Sequence, residues 1–134
     1  MNSIIWQRET DVIVIGGGLA GYCAASEAGA TGADVLLLEK QPETGGSTAL
    51  SSGFFAFAGT SEQRQRGIDD SNELLVRDLK SAGGNENDEQ LLQSYANNQS
   101  AAYEWLQQAG VAFTGVELAS AHSVPRAHAT HVPT

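Results

Sequence analysis

The strongest constraint on the fold is the stretch 10–48, TDVIVIGGGLAGYCAASEAGATGADVLLLEKQPETGGST. An apolar run, Val12-Ile13-Val14-Ile15, leads into the glycine turn Gly16-Gly17-Gly18-Leu19-Ala20-Gly21. An alanine-rich, proline-free segment follows to Ala30, and a second apolar run, Val35-Leu36-Leu37-Leu38, ends on Glu39. Strand, tight turn, helix, strand and acid in that order make the β-α-β unit that takes the adenosine diphosphate half of a dinucleotide. Glycine triplets also occur in ordinary turns; here the flanking elements and the terminal acid all stand in register with the triplet.

Each position has a physical reason. Apolar runs without alternation predict strands buried on both faces, as in a parallel sheet. Gly16 lets the chain turn out of the first strand, Gly18 lets backbone approach a pyrophosphate, and Gly21 lets the helix pack close. The first helical turn has unpaired N–H groups and partial positive charge, which favour a phosphate at 18–20. Glu39, 23 residues after Gly16, can accept hydrogen bonds from both ribose hydroxyls and would repel a 2′-phosphate, which argues against NADP.

The chain has 134 residues, room for one modest domain. Its net charge of −9, from 7 basic and 16 acidic residues, argues against nucleic acid or an anionic membrane as partner. No apolar run of about 20 residues and no secretory pattern is visible, so a cytoplasmic location is expected. The one cysteine, Cys23, lies in the first helix and reads as a small buried thiol.

In order, 4–6 are expected to cover a sheet edge or helix, with strand at 10–15, helix at 18–30 and strand at 34–38. The loop 40–59, KQPETGGSTALSSGFFAFAG, combines small residues for close backbone approach with Phe54, Phe55 and Phe57 as apolar cover for a flat ligand. The alternative is a core loop with glycines for its turns. Residues 61–68 read as polar and exposed. Asp70 and Glu73 have capping-box spacing ahead of a helix to Ala82 with Leu75, Leu79 and Ala82 on one face. Asn87 is the expected cap of the next helix, which carries Leu91, Leu92, Tyr95, Ala102, Trp105, Leu106 and Ala109, with a break at 98–100 where Ser100 would cap a second segment. Tyr95 and Trp105 are expected in the core. A short strand is expected at 111–113. His122, His128 and His131 have no cysteine or carboxylate beside them after Glu117, so no metal site is expected.

Together GGGLAG, the pair Glu39-Lys40, Gly45-Gly46-Ser47-Thr48 and Ser51-Ser52-Gly53 resemble the fumarate reductase/succinate dehydrogenase flavoprotein family. Its soluble branch includes fumarate and urocanate reductases, tricarballylate dehydrogenases and 3-ketosteroid dehydrogenases. Trp105-Leu106 before Gly110-Val111 resembles the family's helix end, and Pro125-Arg126-Ala127-His128 its R-x-H step ahead of a mobile capping domain. The resemblance implies an α/β fold: a Rossmann-like FAD-binding β-α-β unit with a parallel sheet, followed by helices, the domain being incomplete. The expected division is a dinucleotide-binding unit and flavin loop at 10–59, then a helical segment at 60–134, all N-terminal to a capping domain.

The implied cofactor is FAD, with contacts at Gly16, Gly17, Gly18, Leu19, Ala20, Gly21, Glu39, Lys40, Gly46, Ser47, Thr48, Ser52 and Gly53. Membrane-bound relatives join FAD to a histidine near position 47. Ser47 cannot form that bond, so noncovalent FAD is expected. Family members run to several times this length, and their proton-delivering arginine is expected beyond 134. The chain therefore reads as an N-terminal portion, inactive alone and prone to self-association. Its parent would transfer hydride to or from a CH–CH group of an unsaturated acid or ketone. A self-contained nucleotide-binding module using NAD is the alternative, and the GGST-ALSSG loop favours FAD.

Overall fold

A computed structural model describes residues 7–130; the expectations for 4–6 and for His131 lie outside them. The chain forms two compact units, one ending at Ser52 and one starting at Gly53.

In the first unit, β1 (Val12–Ile15) pairs in parallel with β2 (Val35–Leu38), Val12 opposite Val35 and Ile15 opposite Leu38. Helix α1 (Leu19–Ala30) is the crossover between them, the connection a parallel pair requires. Val14 faces α1, within 3.5 Å of where a Cβ on Gly21 would lie. The other face differs from expectation. Ile13 and Ile15 are 57% and 85% exposed, because α1 covers one side of the pair only. Cys23 is half-buried rather than fully buried.

The second unit holds β3 (Phe54–Ala56), β4 (Phe113–Glu117) and β5 (Ala127–Thr130) in an antiparallel sheet of order β3-β5-β4. Strand β4 starts later than expected: the helix before it runs to Gln108, and Gly110, at φ +91, makes the turn between them. The core joins Phe57, Tyr103 and Leu106, with Phe55, Trp105, Val111 and Phe113 packed around them. Phe55 and Phe57 are therefore core residues of this unit, not cover for a ligand. Phe57 is 4% exposed, with its ring 5.5 Å from Tyr103 and 5.9 Å from Phe113.

The helices here correct several expectations. Residues 61–65 form α2 (Ser61–Gln65), opened by a capping box: Thr60 Oγ1 accepts from Gln63 N, and Gln63 Oε1 accepts from Thr60 N. Gln63 is fully buried, not exposed. Helix α3 (Asn72–Ala82) is capped by Ser71, whose hydroxyl accepts from Leu74 N at 3.2 Å. Asp70 is spent elsewhere, on Arg126 at 2.7 Å. The face α3 buries carries Leu75 and Asp78, while Ala82 is exposed.

Helix α4 (Glu89–Gln108) is capped by Asp88, not Asn87; its carboxylate accepts from Gln90 N and Leu91 N. It runs unbroken through 98–100. Its buried face is Leu92, Ala96, Gln99, Tyr103 and Leu106, a spacing of three and four. The Gln99 amide is pinned to both backbone groups of Ala58 at 3.0 Å, and Ser100 accepts from Gln99 rather than capping a new segment. This phase leaves Leu91 72% exposed. Tyr95 is also at the surface, its hydroxyl donating to Ala56 O.

Candidate functional site: the glycine turn and its strap

The site is built at the carboxyl ends of β1 and β2. Gly16, at φ +109, takes the backbone out of β1 through a conformation that side chains disfavour, and its N–H donates to Leu38 O at 2.8 Å. Gly17 is buried; its N–H donates to Glu39 Oε2 at 2.7 Å, and its carbonyl accepts from Gly45 N at 2.7 Å. Gly18 is the N-cap of α1, with extended backbone and no side-chain cap, and the first turn carries no acid. A Cβ on Gly18 would meet nothing nearer than 3.8 Å. A Cβ on Gly21 would lie 1.9 Å from Gly16 O, so Gly21 is what allows α1 to sit on the turn.

This arrangement suits a pyrophosphate. The helix N-terminus carries partial positive charge, no acid stands in its first turn, and Gly18 puts no side chain before it. Glu39 is half-buried, its Oε2 on Gly17 N and its Oε1 accepting from Gln41 N at 2.9 Å. The Gly17 hydrogen bond, followed by that from Gln41, holds its carboxyl below the ordinary value. It stays ionised at neutral pH. An ionised carboxylate accepts at about four lone-pair positions; these two amides use two and leave others for hydroxyl donors.

The loop after β2 closes back on the turn. Gly45 and Gly46, at φ +115 and +50, start a 3-10 turn over Gly46–Leu50. Thr48 Oγ1 accepts from Leu19 N at 3.2 Å, and the Tyr22 hydroxyl donates to Thr44 Oγ1 at 2.9 Å. The structure thus gathers Gly16, Gly17, Gly18, Leu19, Ala20, Gly21, Glu39 and Thr48 around one turn. Lys40 and Ser47 are exposed beside it. Ser52, at φ +56, ends the first unit. Gly53 opens the second, its carbonyl accepting from Thr130 N and Oγ1. The sequence reading left out Gln41, Tyr22 and Thr44. Gly45 was legible as a glycine pair, but a lone tyrosine and threonine carry no local signal.

The R-x-H step is a buried network of the second unit. Arg126, fully buried, donates to Asp70 from Nε at 3.0 Å and Nη2 at 2.7 Å, and to Asp78 from Nη1 at 2.7 Å. Burial pushes the Asp78 carboxyl up, but hydrogen bonds from Ser123 and Arg126 outweigh it and hold it below its usual range. His128 is fully buried, with Nδ1 on Arg126 O and Nε2 on Thr60 Oγ1, both at 2.8 Å. A carbonyl only accepts, so Nδ1 bears the hydrogen and Thr60 donates to Nε2. Burial depresses the His128 pKa, which keeps the ring neutral. His122 is half-buried. Among the described residues no group of three or more His, Cys, Asp or Glu could hold a metal ion, and no helix is long and apolar enough to cross a membrane.

Residues 11–134 match the family described as FAD binding domain. The chain is 39% identical over 121 residues to the NADH:fumarate oxidoreductase of Klebsiella pneumoniae (strain 342), covering 90% of this chain and 13% of that protein. It superposes on the open conformation of a flavocytochrome c3 fumarate reductase with TM-score 0.84 at 30% identity, covering 93% of this chain and 22% of the other. A 3-ketosteroid-Δ4-(5α)-dehydrogenase from Rhodococcus jostii RHA1, in complex with 4-androstene-3,17-dione, gives TM-score 0.81 at 31% identity, covering 98% and 32%. The chain spans 13% to 26% of the length of the first curated relatives it matches. With a glycine turn, a helix opening on Gly18 and a terminal acid set out for a dinucleotide, the chain belongs to the FAD-binding domain family of the fumarate reductase-like flavoprotein oxidoreductases, and its cofactor is FAD.

Proposed function

We propose that this chain supplies the adenosine and pyrophosphate half of the FAD site, and part of the flavin side, in an oxidoreductase acting on CH–CH bonds. The observation that carries the reading is the cradle at Gly18: a helix N-terminus that opens on a residue with no side chain, with an ionised carboxylate at the next strand end. The amides of Gly18 and Ala20 would hold the pyrophosphate oxygens, and the remaining lone pairs of Glu39 the ribose hydroxyls. Lys40 lies beside that carboxylate; Gly46, Ser47, Thr48, Ser52 and Gly53 belong to the flavin side. Bound FAD supplies hydride exchange at a carbon–carbon bond. The protein's part is to hold and orient it. No residue of this chain is assigned to substrate chemistry.

The substrate class is an unsaturated acid or ketone, supported by relatives named for fumarate and for a 3-ketosteroid. We carry the division at 10–59 and 60–134, noncovalent attachment and a cytoplasmic location as parts of the same reading. The exposed Ile13, Ile15 and Leu91 support self-association of the chain alone.

The test is titration of the purified chain with FAD, followed by flavin fluorescence, sedimentation and acid denaturation. Flavin should bind weakly and be released entirely on denaturation, and fumarate reduction with a reduced dye should be absent. A chain that leaves FAD free at every concentration, or binds NAD instead, overturns the cofactor placement. Flavin that stays with the denatured chain overturns the noncovalent assignment.

A further inference from the structure

The glycine turn has a fastening that neither the dinucleotide pattern nor the composition of the loop predicts. Tyr22, in the first turn of α1, donates its hydroxyl to Thr44 Oγ1 at 2.9 Å. The Thr44 methyl group lies over Gly17, where an added Cβ would meet it at 3.0 Å. The next residue, Gly45, donates its N–H to Gly17 O at 2.7 Å. Three residues on, Thr48 Oγ1 accepts from Leu19 N at 3.2 Å, the first N–H of α1. Residues 44–48 thus form a strap fixed at three points on the phosphate turn, and Tyr22 holds its leading end.

We propose that Tyr22 is a positioning residue for FAD. Its bond to Thr44 seats the flavin-side loop 44–50 before ligand arrives, and that lowers the ordering cost of binding. This rests on the function proposed above. The phosphate turn does not need the strap to hold its shape, since Gly16 N is bonded to Leu38 O and Gly17 N to Glu39 Oε2. Tyr22 therefore acts on the flavin half of the ligand more than on the adenosine half. Gly45 and Gly46 sit at positive φ, where glycine has wide freedom, so without its fastening the strap has a soft hinge.

The experiment uses the full chain as Tyr22→Phe, Thr44→Val, Thr44→Ser and the Phe/Val double variant. FAD and ADP dissociation constants are measured for each, along with amide hydrogen exchange without ligand. Tyr22→Phe and Thr44→Val should each weaken FAD by about two- to tenfold, the effect of one hydrogen bond, and leave ADP within twofold. The double variant should be no worse than either single one, because both remove the same bond. Thr44→Ser keeps the hydroxyl and should retain wild-type FAD affinity. Exchange at the Gly45 and Leu19 amides should quicken in Tyr22→Phe while that at Gly17 does not. Unchanged FAD affinity, additive losses, or equal losses for FAD and ADP overturn the inference and leave the flavin reading standing. Wild-type chain that binds ADP but not FAD, or neither, overturns the flavin reading and this inference with it.

Discussion

Gly21→Ala tests whether close packing of α1 on the turn is what makes the site. An ideal Cβ there would lie 1.9 Å from Gly16 O and 3.0 Å from Gly16 C, and Cβ contacts under 3.0 Å essentially do not occur. The turn and α1 must therefore separate by about 1 Å. Both clashing partners are backbone atoms, so no rotamer change relieves the contact. Overpacking of this kind costs about 1–3 kcal/mol, toward the upper end for a backbone clash. Alanine recovers about 1 kcal/mol of helix propensity, and the net loss should be about 1–2 kcal/mol. Urea unfolding by circular dichroism measures it. The same separation displaces the α1 N-terminus from Gly16–Gly18, so FAD affinity should fall by about tenfold or more, as expected where a phosphate site depends on aligned backbone donors. Gly29→Ala is the control. It lies in the same helix with nothing within 4 Å of its Cβ, and it should stabilise by about 0.5–1 kcal/mol. A Gly21→Ala protein as stable as wild type with unchanged FAD affinity would refute the packing argument.

Gly18→Val separates ligand space from packing. Its backbone is extended and its Cβ meets nothing nearer than 3.8 Å, so stability should fall by no more than the loss of a favourable N-cap residue, about 1 kcal/mol, while FAD binding is lost; retained FAD contradicts the cradle. Glu39→Ala should weaken FAD by about tenfold or more, as for a charged acceptor, and quicken exchange at the Gly17 amide. Because the Glu39 pKa is lowered on folding, its stabilising effect is present above the ordinary value of 4.5 and fades as pH falls through the lower folded value; a pH series on wild type and Glu39→Gln reads this, and parallel curves would contradict it. Arg126→Met leaves the buried Asp70 and Asp78 carboxylates without their cation and should cost about 3–5 kcal/mol. An unchanged unfolding midpoint would show that the network is not a structural tie of the second unit.

The first unit was legible because each of its signals acts over a few residues. Gly16 is needed for φ, Gly18 for space and Gly21 for contact with the turn it follows, and all three read directly off the spacing. Burial of the second face of β1 was not legible, since an apolar run says what a strand could bury and not what arrives to bury it. The second unit defeated sequence reading in a consistent way. Asp70 and Ser71 are both able to cap α3, and local chemistry does not choose between them. The choice is made by Arg126, 56 residues later in the chain, which takes the Asp70 carboxylate and leaves Ser71 to accept from Leu74 N.

Helical periodicity fails for the same reason. It counts apolar residues, but the buried faces of α3 and α4 include Asp78 and Gln99. Each is allowed inside only because a distant partner satisfies it, Ser123 and Arg126 for one and the Ala58 backbone for the other. Counting apolar residues in α4 found Leu92 and Leu106 but passed over Ala96 and Gln99, and the Ser100 hydroxyl that suggested a break accepts from Gln99 within an unbroken helix. Tyr22 and Thr44 belong to the same class as Asp70 and Arg126, a pair 22 residues apart whose meaning exists only once β2 has brought the loop back over α1. A buried or bridging polar side chain is thus informative only together with its partner. Glu39 could be guessed as a partner of the glycine turn because the dinucleotide pattern itself places an acid at the end of the second strand, whereas no such pattern links Tyr22 to Thr44 or Asp70 to Arg126.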